Sequence, residues 1–420
     1  MPVWLIPIAY TVASIIGAVI LPRVEHALAP DLVLAVSTAS AVTVLSAIAS
    51  GMMALTGIVF SVAFVMLQFS AVTYSPRFAT RFARDPVLFH ALGIFFATFT
   101  YAIAAIAWAD RAASGQVPAI TSLAAVTLLF VSLIAFGILM RRLGDLQITS
   151  TLRYIGDQGR DVIRNVFGDG GRSGARRLAA AALPVPQAPA TQVLRHAGAP
   201  RYVQRFDLHA LVALARQSGG TIVLRVAVGD MLLDGATMLR VHGGTTPLPD
   251  GPLRRAVVLG DDRTFEQDPK YPIRLLVDVA IKALSPAIND PTTAVQALDQ
   301  IDDLLRRLAR QDLDDGCVPD ADGIPRVAFP TPDWADYLSL AFDEIRMFGV
   351  TSVQVMRRLR SALVGLLDLL GESERAGAVQ RYLHHVDAVI EASTLDEEDR
   401  RSARRRDPQG LGMARDDDTG

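Results

Sequence analysis

Residues 32–75 read LVLAVSTASAVTVLSAIASGMMALTGIVFSVAFVMLQFSAVTYS, without one Asp, Glu, Lys or Arg. A helix rises about 1.5 Å per residue, so about 20 apolar residues cross a hydrocarbon core about 30 Å thick. Uncharged runs of that reach also occupy Val3 to Leu21, Val87 to Ala109 and Val117 to Met140. A mean hydropathy of +0.31 with 51% hydrophobic and 20% charged residues exceeds what a soluble chain needs for its core. The excess lies before Arg141, so the chain reads as a polytopic α-helical membrane domain followed by a mixed α/β, mainly helical cytoplasmic domain.

As one straight helix, the opening stretch would overshoot a bilayer. Ser50-Gly51 is the predicted break, giving an outer-side or re-entrant helix over 32–49 and spans at 3–21, 52–74, 87–109 and 117–140. Counting residues 32–49 as a further crossing would move the loop that follows to the outside and violate the charge rule. Arg77, Arg81 and Arg84 follow the second span and Arg141, Arg142, Arg153 and Arg160 follow the fourth, against only Arg23 and Arg111 outside. Lys and Arg accumulate on the cytoplasmic side of spans, which places the N-terminus and the C-terminal domain in the bacterial cytoplasm, with the chain multi-pass in the inner membrane. The lone Cys317 suits that reducing side.

Gly57, Ser61, Phe64, Gln68, Ala71 and Ser75 recur at spacings of three and four, a single helical face that Ser46 and Ser50 extend. Two readings stay open: close helix packing, with Gln68 bonded to a neighbour, and a water-filled path lined by an oligomer. No charged residue marks an ion route inside the runs. The basic face of Arg77, Arg81 and Arg84 is an ordinary membrane edge or a site for lipid phosphate.

Residues 146–200 read as a basic juxtamembrane connector, flexible between Gly168 and Ala190, that favours anionic lipid over nucleic acid. A small α/β module follows at 201–262, a helical module at 263–395 and a disordered, charge-rich tail at 396–420. In the helical module Asp278 and Lys282 form an i, i+4 pair, Ser285-Pro286 stops one helix, and Asp290 with Pro291 caps the next through Leu308. Another helix, capped by Thr331, runs from Pro332 to about Leu370. Capping leaves Arg263, Gln267, Asp268, Asn289, Thr292 and Thr293 unexplained if they crowd about that turn, with Asp343 and Arg346 in reach. That crowding is a buried polar network or a ligand site.

Ser75-Pro76-Arg77-Phe78, Arg263-Thr264 with Gln267-Asp268, Ala341 to Arg346, and above all the run Ala283 to Ala294 resemble the bacterial predicted membrane protein family called domain of unknown function 2254. The resemblance covers about Met1 to Ile390 and implies four spans and a cytoplasmic domain, with no established reaction.

No zinc spacing, phosphate loop or nucleophile elbow occurs, and His384-His385 are adjacent and so point apart, leaving no metal or cofactor to expect. The expected partners are the bilayer with anionic lipids and further copies of the chain, without nucleic acid. Three functions remain: an oligomeric channel or transport-related protein with a regulatory domain, a noncatalytic scaffold or sensor on anionic lipid or a partner, and a membrane-anchored enzyme at the Asn289-Asp290-Pro291 turn. The uncharged stripe favours the first.

Overall fold

The computed structural model describes residues 4–28, 37–73, 86–111, 119–144, 148–168, 189–313 and 316–407. The chain divides into two compact units, Met1–Gln147 and Ile148–Gly420.

The first unit holds four helices long and apolar enough to cross a membrane: α1 (Leu5–Leu28), α2 (Thr38–Thr73), α3 (Pro86–Arg111) and α4 (Ala119–Gly144). A bilayer offers the backbone no water, so every peptide group must bond within its own helix. That requirement explains the first correction. The expected break at Ser50-Gly51 does not occur, and α2 is continuous for 36 residues, about 54 Å. One glycine costs a helix only about 1 kcal/mol, far less than opening its bonds in lipid. The separate helix at 32–49 and the start of a span at 52 are therefore replaced by a span over Ala39–Val65.

Small and hydroxylated residues knit the unit together around α3. A Cβ on Gly93 would lie 2.9 Å from the Tyr10 ring and 3.3 Å from the Pro7 backbone, so glycine sets how closely α1 and α3 approach. Ser14 bonds Thr100 at 2.6 Å and Thr98 bonds Ser132 at 2.8 Å. A second correction concerns charge. The first span does not end at Leu21: α1 runs past Pro22, and Glu25 is buried within it. Its carboxylate accepts from the backbone N–H groups of Ile120 and Thr121 at 2.9 and 3.2 Å and from the Thr121 hydroxyl at 3.3 Å. Glu25 thus caps the N-terminus of α4, where orphan donors and the helix dipole both favour an anion.

The second unit opens with α5 (Ile148–Phe167), where a basic connector is expected from sequence. The helix is amphipathic and buries Leu152, Ile155, Val162 and Ile163. Two strands and a helix follow: β1 (Ala190–Arg195), β2 (Arg201–Phe206) and α6 (Leu208–Ser218). Next come β3 (Thr221–Leu224), β4 (Met231–Leu232), β5 (Thr237–His242), α7 (Asp250–Ala256) and β6 (Val257–Gly260). The chain continues through α8 (Lys270–Ala283), α9 (Pro291–Leu308), β7 (Cys317–Pro319) and β8 (Pro325–Ala328). It closes with α10 (Trp334–Gly349), α11 (Val353–Leu370), α12 (Glu374–Glu391) and α13 (Glu397–Arg404).

The strands form a five-stranded sheet ordered β1-β5-β3-β8-β7 and a three-stranded sheet ordered β4-β2-β6. Because β8 pairs in parallel with β3, Ile222 opposite Val327 and Val223 opposite Ala328, the α/β and helical modules expected on either side of residue 262 share one sheet. Glycines seat α5 on its neighbours. A Cβ on Gly159 would press on Leu304 of α9 and, at 3.2 Å, on Pro272 of α8. Two arginines of the expected basic connector are matched by acids, since Arg160 bonds Asp157 and Asp303 and Arg164 lies 3.3 Å from Asp161; just past it Arg201 pairs with Asp261 and Arg205 with Glu266.

Three further boundaries differ from expectation. Asp333, not Thr331, caps α10 in a capping box with Asp336, because an acidic residue three places on completes the reciprocal bonds. The predicted 332–370 helix is two, since the Ser352 side chain accepts from Val355 N–H and starts α11. The tail is ordered as far as Asp407: Asp396 caps α13, and Arg357 donates to the Ser402 carbonyl at 3.0 Å. Residues 408–420 lie outside those described.

Asp320 ties the β7–β8 turn. It accepts from Arg326 at 2.7 Å and from the Asp322 and Ile324 amides at 3.0 Å, which together hold its carboxyl below the usual range. A depressed carboxyl contributes stability above its unfolded pKa, about 3.9, and loses it as pH falls through the lower folded value. Asp320→Asn should therefore melt below the wild type at pH 6, and the two melting curves should converge as pH drops below about 4. Thermal unfolding across that range checks this.

Candidate functional site

The uncharged stripe of α2 and the polar residues of the second unit are the two regions singled out by sequence. Gly57, Ser61, Phe64 and Gln68 all lie exposed on α2, as do Ser46 and Ser50. The opposite face, with Leu45, Ile48, Met52, Val59 and Ala63, is buried against the unit's own helices. A Cβ added to Gly57 would meet nothing within 4 Å. Among the described residues the stripe therefore lies open within one chain, and the close packing is done by Gly93, Ser14, Thr98, Thr100 and Ser132. Large apolar residues dominate the exposed positions of α1, with Ile8, Val12, Ile16 and Ile20, and of α4, with Leu123, Phe130, Ile134 and Ile138. Ser75, Arg77, Arg81 and Arg84 lie outside the described residues.

In the second unit, Arg263 and Asp268 form a buried pair just before α8. Arg263 Nε and Nη2 both donate to Asp268 Oδ2, at 2.9 and 2.5 Å, and the guanidinium stacks 5.1 Å from the Tyr271 ring centre. Gly229, at φ +91°, closes over the pair. A Cβ there would collide with Asp268 Oδ2 and lie 2.8 Å from Arg263 Nη2. Gln267 pairs with Phe206 like an extra strand residue: its Oε1 accepts from the Phe206 N–H and its Nε2 donates to the Phe206 carbonyl. Asp268 is 1% exposed, and Oδ1, like the neighbouring Thr264 hydroxyl, makes no hydrogen bond of ordinary geometry. Burial pushes the Asp268 carboxyl up, against the opposing pull of the Arg263 charge and of Lys270.

At the far end of α8, the Ser285–Asp290 turn is built as its sequence suggests. Asn289 sits at φ +49°, alone in that region among the described non-glycine residues. Asp290 caps α9, accepting from Thr293 N–H at 3.1 Å and Thr293 Oγ1 at 2.6 Å. Thr292 is exposed. The expected crowding of both groups about one turn does not occur. Fourteen residues of α8 separate them, a rise of about 20 Å.

Residues 2–364 match the family described as "Predicted membrane protein (DUF2254)". The chain belongs to that family. Uncharacterized proteins of Mycobacterium tuberculosis and Mycobacterium bovis are each 28% identical to it over 367 residues, 85% of this chain and 69% of theirs. No solved structure matches.

Within this DUF2254 chain, α10 runs beside α8 in the same direction. Tyr337 near its start feels the Asp268 charge, and a Cβ on Gly349 at its end would lie 3.5 Å from Leu284. Asp343 and Arg346 do not bond each other as their spacing suggests. Asp343 accepts from the Ser339 hydroxyl at 2.6 Å, and Arg346 Nε is buried without a hydrogen bond. Asp278, expected opposite Lys282, accepts from Arg274 at 2.8 Å, which also holds Glu344 of α10.

Sequence reasoning missed Glu25, Gly229 and Tyr337. Their partners lie about 34 residues or more away in the chain, and no local spacing carries such contacts. One signal was available. Lys270 is one of only two lysines in the sequence, and it stands beside Asp268.

Proposed function

We propose that this DUF2254 protein is a homo-oligomeric channel or transport-related protein of the bacterial inner membrane. In this reading the α2 stripe of each copy faces a shared path, and the second unit is a cytoplasmic regulatory domain. The observation that carries the reading is the chemical difference between exposed faces. Those of α1 and α4 are mainly aliphatic and aromatic, while the stripe of α2 offers Ser46, Ser50, Gly57 and Ser61 within the span and Gln68 just past Val65, with Phe64 as its one aromatic member. An amide or hydroxyl facing lipid tails gains nothing and costs free energy, whereas facing water or another subunit it is satisfied. The balance of arginines supports both termini in the cytoplasm. A scaffold held on anionic lipid draws less support, because Arg160 and Arg164 of the basic connector, and Arg201 and Arg205 just past it, already face carboxylates.

Purified protein in liposomes tests this. Wild type should pass small ions, and Ser61→Leu should cut the flux by about tenfold, since an apolar ring at a narrow point dewets it. Equal flux in both proteins, or a chain that stays monomeric in the bilayer, would overturn the reading.

A further inference from the structure

A cleft of about 350 Å³ opens at the start of α10, lined by Ala227, Lys270, Pro330, Pro332, Tyr337 and Leu340, with Thr331 and Asp336 at its rim. Its walls are mostly apolar, and its size is in the range of small-molecule sites. Two donors stand against those walls. Among the described residues the Lys270 ammonium has no carboxylate at ion-pair distance, and the Tyr337 hydroxyl makes no hydrogen bond. Tyr337 is 1% exposed, and burial together with the Asp268 charge keeps its phenol protonated far above neutral pH, as a donor. Two donors without acceptors that share one apolar-walled cleft suit an occupant with a single anionic group on an apolar body.

We propose that this cleft binds a small monoanion with an apolar body, a monocarboxylate, whose charge meets Lys270 and Tyr337 while its body lies against Pro330, Pro332 and Leu340. Asp268 and Asp336 tell against a dianion, because each added negative charge near them is repelled. Next to the buried pair an aromatic chain continues: Tyr271 packs on Phe265 at 4.9 Å and Phe265 on Tyr154 at 6.5 Å, between ring centres. Tyr154 belongs to α5, so the buried pair and the first helix of the second unit meet through contiguous side chains.

The inference stands apart from transport, since its test measures binding and no flux. Full-length protein in nanodiscs is titrated with 4-fluorobenzoate by fluorine NMR, with empty nanodiscs as the blank. Saturable binding is expected, weakened at least tenfold by Lys270→Gln and retained by Lys270→Arg. Leu340→Trp, which fills the cleft from a half-buried position, should abolish it. Neutral benzamide and dianionic phthalate should compete at least tenfold more weakly than benzoate. The proposal falls if binding is non-saturable or equals the blank, if Lys270→Gln binds like wild type, or if benzamide competes as well as benzoate.

Discussion

Glu25→Ala is expected to lower the stability of the four-helix unit by about 3 kcal/mol, since it leaves two backbone N–H groups and a hydroxyl without their charged acceptor. The carboxylate is 5% exposed, and its bonds to Ile120 and Thr121 close the N-terminus of α4. Tyr101, whose hydroxyl donates to the Thr121 carbonyl at 3.2 Å, would lose its fixed partner as the first turn of α4 frays. Glu25→Gln keeps one acceptor oxygen and turns a donor toward the remaining N–H, so about half the loss is expected. Thermal unfolding in one detergent, followed by circular dichroism, should show the alanine variant about 5–10 °C below wild type. A difference under about 1 °C would mean that water at the helix end replaces the cap at no cost.

Arg263→Ala is expected to destabilise the second unit by about 3–5 kcal/mol, because it strands a carboxylate inside the protein. The cause lies in burial: Asp268 is 1% exposed and Arg263 supplies both hydrogen bonds to Oδ2. Burial already raises the Asp268 carboxyl, and losing Arg263 removes the strongest opposing pull, so it rises further. The sign follows. A carboxyl raised on folding destabilises the fold above its folded pKa, and that loss fades as pH falls and the group takes up a proton. The gap between Arg263→Ala and wild type should therefore be widest near pH 8 and narrow toward pH 5. Asp268→Asn, which carries no charge to strand on that side, should restore part of the stability of Arg263→Ala at pH 8 while changing little at pH 5. Urea unfolding at the two pH values reads this directly, and a gap that is constant with pH would exclude a stranded charge as the cause.

Length and charge placed the membrane helices because a bilayer is a uniform solvent that screens for apolar runs alone. The Ser285–Asp290 turn and the α9 cap were legible for a related reason. Capping is local chemistry among residues three or four apart, and Asp290, Pro291 and Thr293 lie within that reach. The α2 face carrying Ser61 and Gln68 could be drawn from periodicity. Whether that face was covered could not, because burial depends on where α3 and α4 pack.

Everything that joins distant segments belongs to the tertiary structure. Glu25 reads as a charge beyond the first span until α4 brings its N-terminus to it. β8 is a short apolar stretch that fits two modules equally until Val327 pairs with Ile222. Arg263 and Asn289 bracket one helix in sequence and look like neighbours, yet α8 is a rigid rod that holds them about 20 Å apart. Local spacing sets which faces exist and where helices start. Which faces meet is a property of the whole packed chain, and the cleft beside Lys270 and Tyr337 exists only there.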